Sequence, residues 1–174
     1  MPPKPLASGP VGAAAPAPAA ASTTSPPVHI WVPAIGVSSG LQPLHLLANG
    51  TLQAPSKWQE AGWFAGGVIP GDPGPALIAG HIDSTGGPAV FFRLKDLRSG
   101  DRVLVKQASG ATLKFIVDSV MEYRKTAFPT SAVYGPTGTR VLRLVTCTGD
   151  FNRAARSYVD NLVVSTHLAS SLDQ

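Results

Sequence analysis

Apolar and polar residues alternate along many short stretches of this chain, a pattern that is typical of half-buried β-strands. The turn dipeptides Asn49-Gly50 and Ser109-Gly110 separate several of these stretches. The pattern predicts strands at residues 29–33, 35–37, 51–54, 75–81, 102–107, 112–123, 140–147 and 158–168. About eight short strands with little helix indicate an all-β fold, and the pattern alone leaves a closed barrel and a sandwich both open.

Three stretches depart from this alternation. Apolar residues at positions 90, 91, 94 and 97 follow a helical spacing, which predicts a short helical turn within residues 89–97. Residues 58–64 contain two tryptophans and a glycine, and we interpret them as a short helix or loop that closes one end of the core. Residues 126–134 are mixed in character, and we expect them to cross the mouth of a barrel.

Composition divides the 174 residues into a spacer and a single domain. Residues 1–27 consist almost entirely of Pro, Ala, Gly, Ser and Thr, with one Lys and no aromatic residue. Such a segment has too little apolar surface to offset its ordering entropy, so we predict a disordered Pro/Ala-rich linker. Residues 28–174 are long and apolar enough to form one domain with its own core.

Charge and motifs exclude several classes of function. The net charge of +4 comes from basic residues scattered along strand edges and turns, so it indicates a solvated surface rather than a nucleic-acid site. No phosphate-binding loop or dinucleotide fingerprint is present, and the histidines lack neighbours at metal-ligand spacing. We therefore predict no cofactor and no metal, and we expect a monomer.

The only cysteine, Cys147, closes the apolar run at residues 140–147 and precedes a polar loop at residues 148–150. His81 ends the run at residues 75–81 in the same way. A thiol and an imidazole that are distant in sequence and adjacent in the fold are what catalysis by cysteine requires. Alternatively both residues are structural, because free cysteines are often buried in cores.

The residues around these two positions resemble the sortase family of bacterial cysteine transpeptidases. Leu144-Val145-Thr146-Cys147 fits the family pattern L-x-T-C, Gly80-His81 ends an earlier strand, and arginines follow the cysteine. Finer details, at residues 79–83, 87–94 and 157–164, resemble the actinobacterial class F branch of these Gram-positive enzymes. The resemblance covers residues 28–168 and implies a closed eight-stranded β-barrel with one or two short helices.

The resemblance also implies the catalytic roles. Cys147 is the nucleophile, and His81 exchanges protons with the leaving and incoming amines. The family has an arginine at the start of its final strand that holds the oxyanion, and here that position falls near Asn161. The nearest guanidiniums are those of Arg153 and Arg156. We favour Arg156, which lies nearer the final strand, and keep Arg153 as the alternative.

Three further residues are predicted to bind substrate. Thr146 and Thr148 flank the thiol, and Asn161 stands where the family has its arginine. Thr146 matches the family motif, although a β-branched residue in a strand also has a purely structural explanation. Asp83 is a weaker candidate for orienting His81, and its position suits a turn equally well.

The resemblance implies that this chain cleaves an LPXTG-like sorting signal of surface proteins between Thr and Gly. The acyl group would pass through a Cys147 thioester to an amine of cell-wall peptidoglycan. Two alternatives stay open, a thiol peptidase that only hydrolyses and a non-catalytic β-barrel module that binds surfaces. Sortases of this type have an N-terminal membrane anchor before a Pro/Ala-rich spacer. We therefore expect an extracytoplasmic protein at the cell surface, tethered by an anchor outside this chain.

Overall fold

The computed structural model describes residues 24–172, with side chains up to residue 169. The strands are β1 (Pro27–Val32), β2 (Val37–Leu44), β3 (Ala61–Phe64), β4 (Gly74–Ala79), β5 (Asp83–Ser84), β6 (Gly87–Pro88), β7 (Arg102–Gln107), β8 (Thr112–Arg124), β9 (Arg140–Asn152) and β10 (Ser157–Leu172). Within this range the helical elements are α1 (Thr130–Tyr134) and the 3-10 turns Pro33–Ile35, Leu94–Asp96 and Lys125–Ala127. Most of the predicted linker at residues 1–27 lies outside the described residues.

Eight strands of the described chain form a closed barrel in the order β1-β2-β3-β4-β9-β10-β8-β7. β2 pairs with β3 in parallel, as β4 does with β9, and the other neighbouring strands are antiparallel. Closure gives every strand two neighbours, so the barrel has no exposed edge. The predicted eight-stranded all-β barrel is confirmed, and β5 and β6 form a separate two-stranded sheet.

Inward-facing side chains of the barrel strands form the main core. Leu142 and Leu144 of β9 and Phe115 of β8 belong to it, and they are fully buried. Because side chains alternate between the two faces of a strand, the residues between these leucines and beyond them point outward. Val145 and Cys147 therefore lie on the outside of the barrel wall.

A second group of buried apolar residues, here called the outer cluster, lies on this outside face. Its members come from β4, β9, β10, α1 and the chain around β2 and β3; they are Leu44, Leu52, Ala54, Leu77, Ala79, Val133, Val145 and Val163. The segment that was expected to cross the barrel mouth packs against this cluster instead, through Phe128, Val133 and Tyr134. One side of the wall is thus apolar and covered, and Cys147 packs at its border.

Several elements differ from the prediction. β9 does not end at Cys147 but continues to Asn152, because this part of the strand stays paired with β10. Residues 61–64 form strand β3 rather than a helix or loop, since β2 and β4 pair with it on either side. Residues 51–54 contribute only a bridge between Leu46 and Leu52, and the helical turn within residues 89–97 is a 3-10 turn. In the described range, no helix has the length and apolarity that crossing a bilayer requires.

Gly80 directly precedes His81, and its lack of a side chain is a packing requirement of this fold. A Cβ atom at this position would lie 2.7 Å from Cδ2 of Phe91 and 2.8 Å from Cγ1 of Val90. Phe91 is fully buried in the main core, so it can shift only by displacing its neighbours. We expect Gly80→Ala to lower the free energy of unfolding by about 1–3 kcal/mol, measured by urea denaturation.

Gly40→Ala in β2 is the matched control, because a Cβ atom there meets no heavy atom within 4 Å. This variant should change stability by less than about 0.5 kcal/mol. Equal effects of the two substitutions would contradict the packing explanation.

Candidate active site

The parallel pairing of β4 with β9 brings the predicted histidine and cysteine together. The last residue pair of this ladder is Ala79 with Val145, and the Gly80 amide then donates a 3.1 Å hydrogen bond to the Val145 carbonyl. His81 and Cys147 each follow two residues after the last pair. Because side chains alternate between the two faces of a strand, both side chains point to the outer face. They lie on adjacent segments at the same end of the ladder.

Thr146 holds this arrangement together from the other face. Its side chain is fully buried, and its hydroxyl donates a 2.8 Å hydrogen bond to the Gly80 carbonyl. This bond joins the two chains beyond the point where the ladder ends. Thr146 thus positions the residues that precede His81 and Cys147, and its side chain points away from the thiol.

His81 is 7% exposed and is held by two contacts. Its Nε2 atom lies 2.8 Å from the Pro55 carbonyl, and its ring packs against Trp58 with the ring centroids 4.4 Å apart. Because a carbonyl only accepts, Nε2 carries the proton in this hydrogen bond, which leaves Nδ1 to exchange protons. Burial lowers the pKa of His81, although the Pro55 carbonyl and the Asp83 carboxylate oppose this effect, so the imidazole is neutral at neutral pH.

Cys147 is half-buried, and its sulfur has a cation beside it. Lys125 Nζ lies 3.7 Å from the Cys147 Sγ atom. Burial raises the pKa of the Cys147 thiol, Lys125 acts in the opposite direction, and Asp83 adds to the rise. The thiol is therefore protonated at neutral pH, and the thiolate form depends on the positive charge of Lys125.

Asn161 lies directly beside the thiol. It pairs with Cys147 on β9 and with Tyr123 on β8, and residues opposite each other in neighbouring strands share a face. Asn161 is 0% exposed, and neither its amide nitrogen nor its amide oxygen has a hydrogen-bond partner among residues 24–172. A buried amide without partners costs about 1–3 kcal/mol, so this group has hydrogen bonds to gain from a ligand.

The other predicted residues lie farther from the thiol. The Thr148 hydroxyl donates a 3.1 Å hydrogen bond to Glu122, and alternation turns it to the face opposite Cys147. Arg153 and Arg156 are exposed in the turn between β9 and β10, and within the described chain neither side chain makes a hydrogen bond or ion pair. Arg156 has a φ of 51°, which is uncommon for a residue other than glycine.

The start of β10 nevertheless reaches the site. The Ser157 hydroxyl lies 3.0 Å from Lys125 Nζ, and the Tyr158 hydroxyl donates to the Asp83 carboxylate. Burial and the contact with Asp83 raise the pKa of Tyr158 to about 12, so this hydroxyl keeps its proton. Arg156 directly precedes these two residues. Asp83, the candidate for orienting His81, bonds Tyr158 instead and acts on His81 only through its charge.

Sequence reasoning missed Lys125, which was grouped with the scattered surface charges. Tyr123, Asn161 and Cys147 form a row of paired residues across β8, β10 and β9. Lys125 follows Tyr123 by two residues, so it lies next to this row. Only the register of all three strands reveals this row. No spacing along the chain signals it.

His81 follows the end of β4, and Cys147 lies within the adjacent parallel strand β9, on the outside of a closed β-barrel. A thiol and an imidazole in this relation are the pair that a thiol enzyme requires. The sortase domain model matches residues 30–169, so the chain belongs to the sortase family. A comparison with curated protein sequences gives no match.

Solved sortase structures share the fold at low sequence identity. Sortase A from Corynebacterium diphtheriae has a TM-score of 0.64 at 21% identity, and the alignment covers 88% of this chain and 64% of that one. Sortase C-1 from Actinomyces oris has a TM-score of 0.62 at 21% identity, with 82% and 73% covered. Sortase C-1 from Streptococcus pneumoniae has a TM-score of 0.62 at 22% identity, with 83% and 67% covered. This chain thus spans just under two thirds of the length of the first of these proteins.

The raised pKa of Cys147 leads to a direct prediction. Alkylation of the folded protein by iodoacetamide should have its pH midpoint above that of the same thiol in the urea-unfolded chain, because burial favours the protonated form. Intact-mass spectrometry of samples quenched over time at each pH measures this rate. A folded-state midpoint below the unfolded one would contradict the assignment.

Proposed function

We propose that this chain is a cysteine transpeptidase that cleaves an LPXTG-like sorting signal of surface proteins and joins it to a cell-wall amine. The observation that supports the proposal most directly is the placement of His81 and Cys147. They follow the last pair of the β4–β9 ladder at the same end, beside the apolar outer cluster. Partly buried apolar side chains that pack on this cluster, such as Phe64 and Phe128, suit the leucine and proline of such a signal.

In the proposed reaction, His81 Nδ1 takes the proton of the Cys147 thiol, and the thiolate attacks the carbonyl carbon of the signal's threonine. The bond to glycine breaks when His81 returns this proton to the leaving amine, and a thioester remains. The amine of a peptidoglycan peptide then attacks the thioester carbon, the carbon–sulfur bond breaks, and His81 takes the proton that the amine releases and passes it to the departing thiolate. Both groups return to their starting forms.

The developing oxyanion requires a hydrogen-bond donor. We propose Arg156 for this role, with Arg153 as the alternative, because both lie in the turn that precedes Ser157 and Tyr158 at the site. Asn161 is proposed to bind the substrate backbone, since its amide is buried beside the thiol with no partner in the described chain. Thr146 and Thr148 contribute less directly, because their hydroxyls already bond Gly80 and Glu122.

We also infer that the enzyme acts outside the cytoplasm, tethered at the cell surface, because peptidoglycan amines are found there. The motifs at residues 79–83, 87–94 and 157–164 support its assignment to the class F branch. Ser157 and Tyr158, from the last of these motifs, contact Lys125 and Asp83 at the site.

The decisive experiment mixes the protein with an LPXTG peptide and a glycine peptide and detects the ligated product by mass spectrometry. We expect Cys147→Ala to abolish both the acyl-enzyme and turnover. His81→Ala should lower turnover by roughly 10² to 10⁴, the usual contribution of a general acid–base group.

Thermal unfolding followed by circular dichroism provides the control, since both variants should keep the barrel folded. Cleavage without ligation would favour a thiol peptidase that only hydrolyses. Full activity of Cys147→Ala would eliminate the thiol mechanism, and no reaction at all would favour a binding module.

The oxyanion donor is identified by comparing Arg156→Ala with Arg153→Ala in the same peptide assay. Loss of the donor should lower kcat by roughly 10² to 10³, whereas loss of an exposed turn arginine should have almost no effect. We expect the larger effect at Arg156. Arg156→Lys should restore little activity, because an ammonium group lacks the planar two-point geometry of a guanidinium. If both alanine variants stay active, Asn161→Ala is the next variant to test.

A further inference from the structure

Lys125 is the basic residue that contacts the candidate nucleophile. It opens the 3-10 turn Lys125–Ala127, directly after β8 ends at Arg124. Its Nζ atom lies 3.7 Å from Cys147 Sγ, which is within hydrogen-bonding range for sulfur. The register that aligns Tyr123 with Asn161 and Cys147 places the lysine at the end of this row. The contact thus follows from the pairing of three strands.

The position of the ammonium group is fixed by Ser157 at the start of β10. Lys125 Nζ donates a 3.0 Å hydrogen bond to the Ser157 hydroxyl, which in turn donates a 3.3 Å bond to the Tyr158 carbonyl. The serine hydroxyl therefore has its acceptor lone pairs available to the lysine. A half-buried lysine that is anchored in this way loses less freedom when it approaches the sulfur.

No acidic side chain in the described part of the chain forms an ion pair with Lys125. The ion pairs among the described residues join Lys57 to Glu60, Arg93 to Asp96 and His167 to Asp118. Lys125 is instead bonded to a neutral hydroxyl and a sulfur. A charge at this distance from a half-buried thiol acts through a medium of lower dielectric constant than water, so its effect is larger than at the surface.

We propose that Lys125 is a further catalytic residue, which stabilises the Cys147 thiolate while the oxyanion is held by a separate donor. The proposal rests on the proposed function of Cys147 as nucleophile. The lysine acts on the sulfur before attack, and the arginine acts on the carbonyl oxygen during it.

Besides His81, which exchanges the proton in the proposed reaction, the other ionisable groups that act on the sulfur are Asp83 and Tyr158, and these two are bonded to each other. Asp83 opposes the thiolate, and Tyr158 keeps its proton, so neither replaces the lysine. Substitution of Lys125 leaves both groups in place. A comparison of Lys125 variants therefore isolates the effect of this one charge.

The test measures the rate at which iodoacetamide alkylates Cys147 as a function of pH, by intact-mass spectrometry. Iodoacetamide is uncharged, so the lysine does not attract or repel the reagent itself. We expect Lys125→Met to lower the rate at neutral pH by about tenfold, in keeping with the loss of an opposite charge close to an ionisable group. The rates of the variant and the unmodified protein should converge at alkaline pH, where both thiols are ionised.

Three further variants control for charge and for structure. Lys125→Arg keeps the positive charge and should stay within about threefold of the starting rate at neutral pH. Arg124→Met removes a charge from the adjacent residue, which is exposed and points to the other face, and should leave the rate unchanged. Lys125→Gln repeats the neutral substitution with a polar side chain, in case the methionine disturbs folding as judged by thermal unfolding.

The measurement needs no peptide substrate, so its result is independent of whether ligation is observed. An alkylation profile of Lys125→Met and Lys125→Gln that matches the unmodified protein would overturn the proposal. Loss of ligation together with an unchanged alkylation profile would also overturn it, because the lysine would then act on the substrate rather than on the thiol.

Discussion

The parallel pairing of β4 with β9 is the constraint on which the site depends. Six residue pairs, from Gly74 with Arg140 to Ala79 with Val145, fix the register. Beyond them, the Gly80 amide and the Thr146 hydroxyl keep the two chains joined until the histidine and the cysteine begin. A slip of one residue in β9 would turn the thiol into the barrel interior while the imidazole stayed outside. The relative positions of His81 and Cys147 are therefore set by main-chain pairing.

The all-β class was predictable because its evidence is local, whereas the closed barrel followed only from the resemblance to sortases. Alternation and turn residues mark most strands, and β7 and much of β8 lie where the pattern places them. The continuation of β9 past Cys147 was not predictable, since Thr148-Gly149-Asp150 has the composition of a loop. Gly149 takes a left-handed φ of 79°, and the pairing with β10 shifts register opposite this stretch, so the strand bends without ending. Likewise β3 is a strand only because two neighbours pair with it.

For the site, sequence could indicate the thiol and the imidazole because each residue ends a recognisable strand pattern. It could not indicate Lys125, whose contact with the sulfur depends on register across β8, β10 and β9. The sequence also could not show whether the Thr146 side chain bonds the neighbouring segment or faces the substrate. For Lys125 and for Thr146, the contact depends on which face of a strand each side chain occupies once the neighbouring strands are paired. A linear pattern specifies this face only where apolar residues mark the inside of the barrel.

Burial of the candidate catalytic pair, His81 and Cys147, also works against the ionised form of each group. It raises the pKa of Cys147 and lowers that of His81, so both changes favour the neutral thiol and the neutral imidazole. The lysine opposes this for the sulfur, and the Pro55 carbonyl does so for the ring. Asn161 is buried at the same place without partners in the described chain, at a cost that bound peptide amides can remove. Without substrate, the protein thus keeps the Cys147 thiol protonated and the Asn161 amide unsatisfied. In the proposed reaction, the backbone of the bound peptide would satisfy this amide beside the sulfur that attacks the peptide.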